Sequence, residues 1–135
     1  MIVDPRSATA RDVYKLMIGA IVPRPIAFVS TISPEGIYNL APFSFFTGIS
    51  ANPPAICFCP MVRAGDDPRK DTLRNIEETG EFVVNVVSEE FAEKMNQTSG
   101  EYPFEVDEFA LSGLTPLPSD LVKRSEERRV GKECS

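Results

Sequence analysis

A hairpin-shaped stretch near the N-terminus sets the strongest limit on how this 135-residue chain can fold. Residues Ile26 to Ile32 form a run rich in β-branched and aromatic side chains, and Ser33-Pro34-Glu35-Gly36 follows it. A second extended run begins at Ile37. Proline presets φ at a turn and glycine supplies its left-handed position, so the chain can reverse here. Small hydroxyl residues (Ser30, Thr31, Ser44) and one amide (Asn39) sit among apolar neighbours on the two runs. That mixture suits a surface holding a ligand that is partly flat and apolar and partly anionic.

Around this hairpin the pattern reads as strands with short helices. Ala10 to Met17 forms a helix with Thr9 as N-cap and Asp12 in its first turn. Val13, Leu16 and Met17 share one face, a spacing expected to pack on a core, and Gly19 ends the helix. Residues 21–33 give the first strand, entered through Val22-Pro23-Arg24-Pro25. Residues 37–49 give the second, interrupted at Pro42, where a proline implies an edge or a bulge. Residues 54–60 make a third strand, with Cys57 and Cys59 as two packing residues on one face. Lys70 to Thr79 reads as a helix with Gly80 at its C′ position and Leu73 and Ile76 as its buried side. A strand over 81–87 follows. Ser88 then N-caps a helix ending near Gly100, and 101–122 is loop-like, lying over a core or a partner subunit.

Composition removes several functions. The net charge is −6, which disfavours nucleic acid as a partner. There is no histidine, so neither a Ser-His-Asp triad nor the usual imidazole base exists within these residues. No apolar run approaches the roughly 20 residues of a membrane helix. Met1-Ile2-Val3-Asp4-Pro5 has no basic region leading into an apolar one, so no signal peptide is expected. Three cysteines (Cys57, Cys59, Cys134) make neither a disulfide framework nor a metal set, and a reduced cytoplasmic protein is the simplest reading.

Some of the remaining motifs suit anion and ring chemistry. Lys70-Asp71-Thr72 opens a helix, so free backbone N–H groups, the dipole, the Thr72 hydroxyl and the Lys70 ammonium can converge on one phosphate. Ser30 and Thr31 offer further hydroxyls, and Arg24 a bidentate contact. Ala41, Pro42 and Phe43 supply apolar faces for a flat heteroaromatic ring, and Asn39 with strand-edge backbone groups supplies its polar edge. Pro42 leaves a ladder gap in which neighbouring backbone groups can bond a ligand. The same residues have ordinary structural uses. Ser and Thr are common in strands, Lys-Asp-Thr is a normal capping sequence, and Asn39 fits a turn or a ladder. Spacing alone does not choose between these.

A resemblance does. Pro23-Arg24-Pro25-Ile26-Ala27-Phe28-Val29-Ser30-Thr31, Asn39-Leu40-Ala41-Pro42-Phe43-Ser44-Phe45-Phe46, Asn52-Pro53-Pro54, Lys70-Asp71-Thr72 and Gly80-Glu81-Phe82-Val83-Val84-Asn85 occur in this order. Together they resemble the flavin reductase-like, FMN-binding split-barrel family. The resemblance implies a mainly β fold with short helices, a Greek-key split β-barrel, and a homodimer with FMN near the subunit interface. It implies hydride transfer from NADH or NADPH to the flavin, with no side chain needed as a general base, and a flavin-using monooxygenase or other acceptor as partner. It assigns Arg24, Ser30, Thr31, Asn39, Ala41, Pro42, Ser44, Lys70 and Thr72 to the cofactor, leaves the catalytic residues unidentified, and implies no metal. A flavin-binding electron carrier without its own nicotinamide site and an inactive fragment are the alternatives. Family members continue through several more strands, so the barrel is expected to be incomplete at its C-terminus.

Residues 124–135 read differently from the rest. Arg124-Ser125-Glu126-Glu127-Arg128-Arg129-Val130-Gly131-Lys132-Glu133-Cys134 resembles the in-frame translation of a common short-read sequencing adapter. The domain is therefore taken as 1–123 and the remainder as a non-native tail. Without the tail, Lys+Arg falls from 14 to 10 and Asp+Glu from 20 to 17, and the net charge moves from −6 to −7.

Overall fold

The computed structural model describes residues 3–61, 69–122 and 125–127. At its centre is a three-stranded antiparallel sheet of β1 (Ala27–Ile32), β2 (Tyr38–Phe43) and β5 (Val83–Asn85), in the order β2-β1-β5. The β1–β2 hairpin closes as its sequence predicts. Gly36 takes φ +90°, its N–H donates to the Ser33 carbonyl at 3.0 Å, and the Ile37 N–H donates to Ser33 Oγ at 3.2 Å. β1 is the middle strand, and Ala27 through Thr31 are all buried because both of its faces are covered.

Pro42 does not interrupt β2. Pairing runs unbroken from Ile32↔Tyr38 to Ala27↔Phe43, with Pro42 opposite Phe28. β2 is an edge strand, and its outward N–H positions alternate, so the nitrogen of Pro42 points to the same free edge as that of Leu40 and no ladder bond is lost. The chain bends instead at Ser44-Phe45. Beyond the bend, β3 (Phe46–Ala51) pairs with β4 (Pro54–Phe58) in a separate two-stranded sheet, irregular between Gly48 and Ser50. Cys57 lies in β4 and is half-buried, while Cys59 falls just past the strand and is exposed.

The alternation of β1 and β2 divides the core. Phe28 and Leu40 pack with Phe91, Phe109 and Leu114 on one face. Ala27, Val29 and Phe43 pack on the other, where Phe58 lies between Phe43 and Phe82 with ring centroids 5.2 and 5.1 Å apart.

Helix α1 spans Ala10–Ala20, capped by Thr9 Oγ1, which accepts from the Asp12 N–H at 3.2 Å. It runs through Gly19 instead of ending there. A helical glycine costs only about 1 kcal/mol, and the Arg24 guanidinium supports this end by donating to the Ile18 carbonyl at 2.7 Å. Its apolar face is not buried: Leu16 and Met17 remain more than 40% exposed, and no residue of the helix is enclosed.

Helix α2 (Asp71–Thr79) ends at Gly80, which adopts φ +72° and donates to the Ile76 carbonyl at 2.7 Å. Its buried side is Thr72 and Asn75, whereas Leu73 and Ile76 are half-buried. The helix rests on a polar part of the sheet, so hydrogen-bonding side chains face inward. Open space surrounds a Cβ built at Gly80. Gly80→Ala is therefore expected to cost only its left-handed strain, about 1 kcal/mol, seen as a lower urea midpoint at unchanged m-value.

The strand expected over 81–87 forms only at Val83–Asn85. A 3₁₀ turn (Glu89–Phe91) leads into α3 (Ala92–Gln97), and the Ser88 hydroxyl makes no capping bond. The segment read as a loop over 101–122 contains α4 (Glu108–Ser112) and β6 (Pro116–Pro118). Asp107 caps α4, with Oδ1 accepting from the Phe109 and Ala110 N–H groups at 2.8 and 3.2 Å, and Gly113 at φ +66° closes it. β6 pairs antiparallel with β7 (Ser125–Glu127). The described residues thus form a mixed β fold with short helices in three separate sheets, and the sheet is not closed into a barrel. No described helix is long and apolar enough to cross a membrane.

Candidate functional site

The free edge of β2, the start of α2 and the start of α4 meet around Asn39. Its side chain is buried, and every one of its described hydrogen bonds joins two different elements. Oδ1 accepts from Thr72 Oγ1 at 2.7 Å and from Thr31 Oγ1 at 3.2 Å. Nδ2 donates to Glu108 Oε1 at 3.0 Å. The other Glu108 oxygen, Oε2, accepts from the Leu40 N–H at 3.2 Å, satisfying the outward backbone donor of the edge strand. Asn75 Nδ2 donates to Thr31 Oγ1 at 3.0 Å, and its Oδ1 is buried without a partner among the described residues. Strands β1 and β2 and helices α2 and α4 are thereby locked by one polar network.

Glu108 was not among the residues singled out from the sequence. Burial pushes its carboxyl up to about 7. Its own N–H, the Leu40 N–H and the Asn39 amide oppose that rise by stabilising the charged form, and the nearby negative charge of Asp71 adds to it. The signal that could have located it is local: Asp107 as N-cap and Gly113 as C′ bracket a short helix, with Glu108 in its first turn.

A small inner hollow, about 30 Å³, opens beside this network. Asn39, Ala41, Pro42 and Phe43 from β2 and Lys70, Asp71 and Thr72 from the start of α2 line it, together with Glu108 and the Thr98-Ser99-Gly100 segment. A larger outer cavity of about 190 Å³ continues along Pro42, Phe43, Ser44 and Phe45, with Lys70 again at its wall. Lys70 is the N-cap residue of α2 and is half-buried. The Lys70 side chain makes no capping bond, and Lys70, Asp71 and Thr72 place the first turn of the helix at the wall of the hollow.

Of the residues expected at the site, Asn39, Ala41, Pro42, Lys70 and Thr72 line the inner hollow, and Ser44 lines the outer cavity. Thr31 reaches the site through the Asn39 network. Ser30 does not join it, because adjacent strand residues point to opposite faces; its Oγ accepts from Asn85 Nδ2 at 3.3 Å on the other side. Arg24 stands apart from the inner hollow. Its Nε donates to Ser44 Oγ at 3.2 Å, and its guanidinium lies 5.9 Å from the centre of the Phe45 ring. It ties the end of α1 to the bend after β2.

The donor set fits a phosphate-bearing flavin. The first turn of α2 and an ammonium meet at one end, and an apolar Ala-Pro-Phe ridge with an adjoining serine hydroxyl runs away from it.

Comparison with known proteins bears on the same point. Residues 18–133 match the Flavin reductase like domain family, a span that includes most of the adapter-like string. The chain is 51% identical over 123 residues to an uncharacterized protein of Aquifex aeolicus, covering 90% of this chain and 62% of that protein. Its fold matches the crystal structure of nitrilotriacetate monooxygenase component B from Bacillus cereus with a TM-score of 0.87 at 39% identity, over 95% of this chain and 62% of that one. A Shewanella frigidimarina structure described as having a split barrel domain shares the fold, with a TM-score of 0.73 at 24% identity, over 95% of this chain and 63% of that one. The chain thus spans less than two thirds of the length of these relatives. With the family match covering most of the sequence, the chain belongs to the flavin reductase-like domain family.

Proposed function

We propose that these residues form the FMN-binding part of an oxidoreductase that passes hydride from NADH or NADPH to flavin. The observation that carries this reading is the juxtaposition of the α2 N-terminus and Lys70 with the Ala41-Pro42-Phe43 ridge around one hollow. FMN, when bound, supplies the redox chemistry itself. The chain's own residues bind and orient it. Lys70 and the first-turn N–H groups of α2 hold the phosphate, with Thr72 beside them. Pro42 and Phe43 shape the apolar wall, and Ser44, held by Arg24, presents a hydroxyl to the outer cavity. Asn39 and Thr31 keep β2 and α2 in register beneath the ligand.

The likeness to a monooxygenase component supports a flavin-using monooxygenase as the acceptor. The exposed apolar residues of α1 and its exit, including Leu16, Met17, Ile21 and Val22, suit a second copy of the chain, giving a homodimer. Residues 124–135 are read as adapter-derived. The pairing of Ser125–Glu127 with Pro116–Pro118 uses backbone groups that any sequence carries. A genomic reading frame that continues through the same string would refute this.

The functional test is spectroscopic. The protein is mixed with FMN, dialysed, and then given NADH or NADPH without oxygen. Retained flavin absorption that bleaches with one of the nicotinamides is the expected result. Retained flavin that neither donor bleaches would make the protein an electron carrier instead.

A further inference from the structure

The carboxylate of Glu108 lies beside the hollow assigned to the phosphate, and its described hydrogen bonds are one-sided. Its oxygens meet three N–H donors: its own backbone, the Leu40 N–H and the Asn39 amide. A protonated carboxyl must donate its hydrogen, and none of these groups can accept it. A half-turn of the Asn39 amide supplies an acceptor, because it brings Oδ1 to Glu108 and Nδ2 to Thr31 and Thr72. The two threonine hydroxyls, which now donate to Asn39 Oδ1 at 3.2 and 2.7 Å, would then accept. Their hydrogens are released, and Thr72 lies on the wall of the hollow.

We infer that binding of an anionic ligand at the start of α2 is coupled to uptake of one proton by Glu108, relayed by reversal of the Asn39 amide. The inference rests on the flavin-phosphate reading of the hollow and deepens it. Electrostatics and hydrogen bonding act in the same direction. An incoming phosphate repels a buried carboxylate and also needs O–H donors, and protonating Glu108 answers both. The proton comes from solvent and rests on a Glu108 oxygen, bonded to Asn39 Oδ1. The other charged groups at this place are Asp71 and Lys70 from α2, Asp107 from α4, engaged in its own cap, and Lys94 from α3, which reaches the Gly113 carbonyl at 3.4 Å. Asp71 shares the sign of Glu108 and favours the uptake. Lys70 opposes it until the phosphate engages the ammonium.

Because burial has already raised Glu108 to about 7, the coupling operates near neutral pH. Glu108→Gln copies the neutral carboxyl: its amide N–H₂ donates to the turned Asn39 while its oxygen keeps the Leu40 N–H. Glu108 is a positioning residue in this account, not a catalytic one.

The test uses the longest natural reading frame containing residues 1–123 and titrates FMN calorimetrically in buffers of different ionisation enthalpy. At about one unit above the Glu108 value, uptake of roughly 0.5–1 proton per FMN is expected, and affinity should fall about ten-fold between pH 6 and 8. Glu108→Gln should bind at least as tightly at pH 8 and lose that dependence. The second ionisation of the FMN phosphate, near pH 6, is common to both proteins and cancels in the comparison. FMN binding without proton uptake would overturn the coupling while leaving the flavin reading intact. So would a Gln variant equally weakened at every pH, which is the mark of a purely structural role. Failure of both proteins to bind FMN at any pH would overturn the coupling and the flavin reading together.

Discussion

Asn39→Leu is expected to be the most damaging single change at the site. The substitution keeps the volume and removes the amide, so Glu108 Oε1 loses a donor and the buried hydroxyls of Thr31 and Thr72 lose their shared acceptor. A buried polar group left unpaired costs about 1–3 kcal/mol, and removing the partner of a buried charge costs about 3–5 kcal/mol. These penalties overlap, since Glu108 can relieve its own by protonation, and a loss of about 4 kcal/mol is expected. Against a typical domain stability of about 5–15 kcal/mol, that is a large fraction. Urea unfolding measures it. A loss below about 1 kcal/mol would mean that the four elements are held by packing alone. FMN binding should fail in the same variant, because α2 is no longer pinned to β2.

The second large effect belongs to Phe28→Ala. Phe28 is completely buried on the central strand, in one cluster with Leu40, Phe91, Phe109 and Leu114. Truncating a buried phenylalanine costs about 3–5 kcal/mol through lost transfer energy and the cavity left behind. The consequence extends to the site. Phe109 follows Glu108 on α4, so the packing of Phe28 and Phe109 in one cluster is what delivers the carboxylate to the edge of β2. The variant should therefore lose flavin affinity together with stability. Phe58, on the opposite face and only half-buried, provides the control: Phe58→Ala should cost less stability and leave the Glu108 contacts in place.

The pH dependence of folding follows from the same carboxylate. Its folded value, about 7, lies above the ordinary 4.5. The native state therefore holds the proton more tightly than the unfolded state, and stability falls as pH rises from about 4.5 through about 7. The fall approaches about 3 kcal/mol if Glu108 acts alone. Asp4 and Glu35 are lowered by hydrogen bonds, chiefly to Arg6 and Ser33 respectively, so their contributions disappear only as pH falls below the usual carboxylate range. The two effects occupy separate windows.

The hairpin and the end of α2 at Gly80 were legible in the sequence because both rest on local chemistry. Proline and glycine set the Ser33–Gly36 turn, and a left-handed glycine stops the helix. Tertiary choices were not legible. Leu73 and Ile76 are the apolar stripe of α2, yet Thr72 and Asn75 face inward, because the sheet there presents Thr31 and Asn39. Pro42 implied an edge or a bulge; the edge is what forms, and the interruption expected there does not. Ser30 and Thr31 look like a pair of donors, but the pleat sends them to opposite faces. Glu108 stayed hidden because α4 is five residues long, too short for periodicity to reveal, and because its partners lie 68 and 69 residues away along the chain.

The most direct test of the proposed site compares FMN with riboflavin, which lacks the phosphate, by quenching of flavin fluorescence. If the hollow between β2 and the start of α2 holds the phosphate, FMN should bind at least about ten-fold more tightly, a difference of about 1.4 kcal/mol. Lys70→Ala should remove most of that difference by weakening FMN and leaving riboflavin unchanged. Equal affinities for the two flavins, or an FMN preference that survives Lys70→Ala intact, would contradict the assignment.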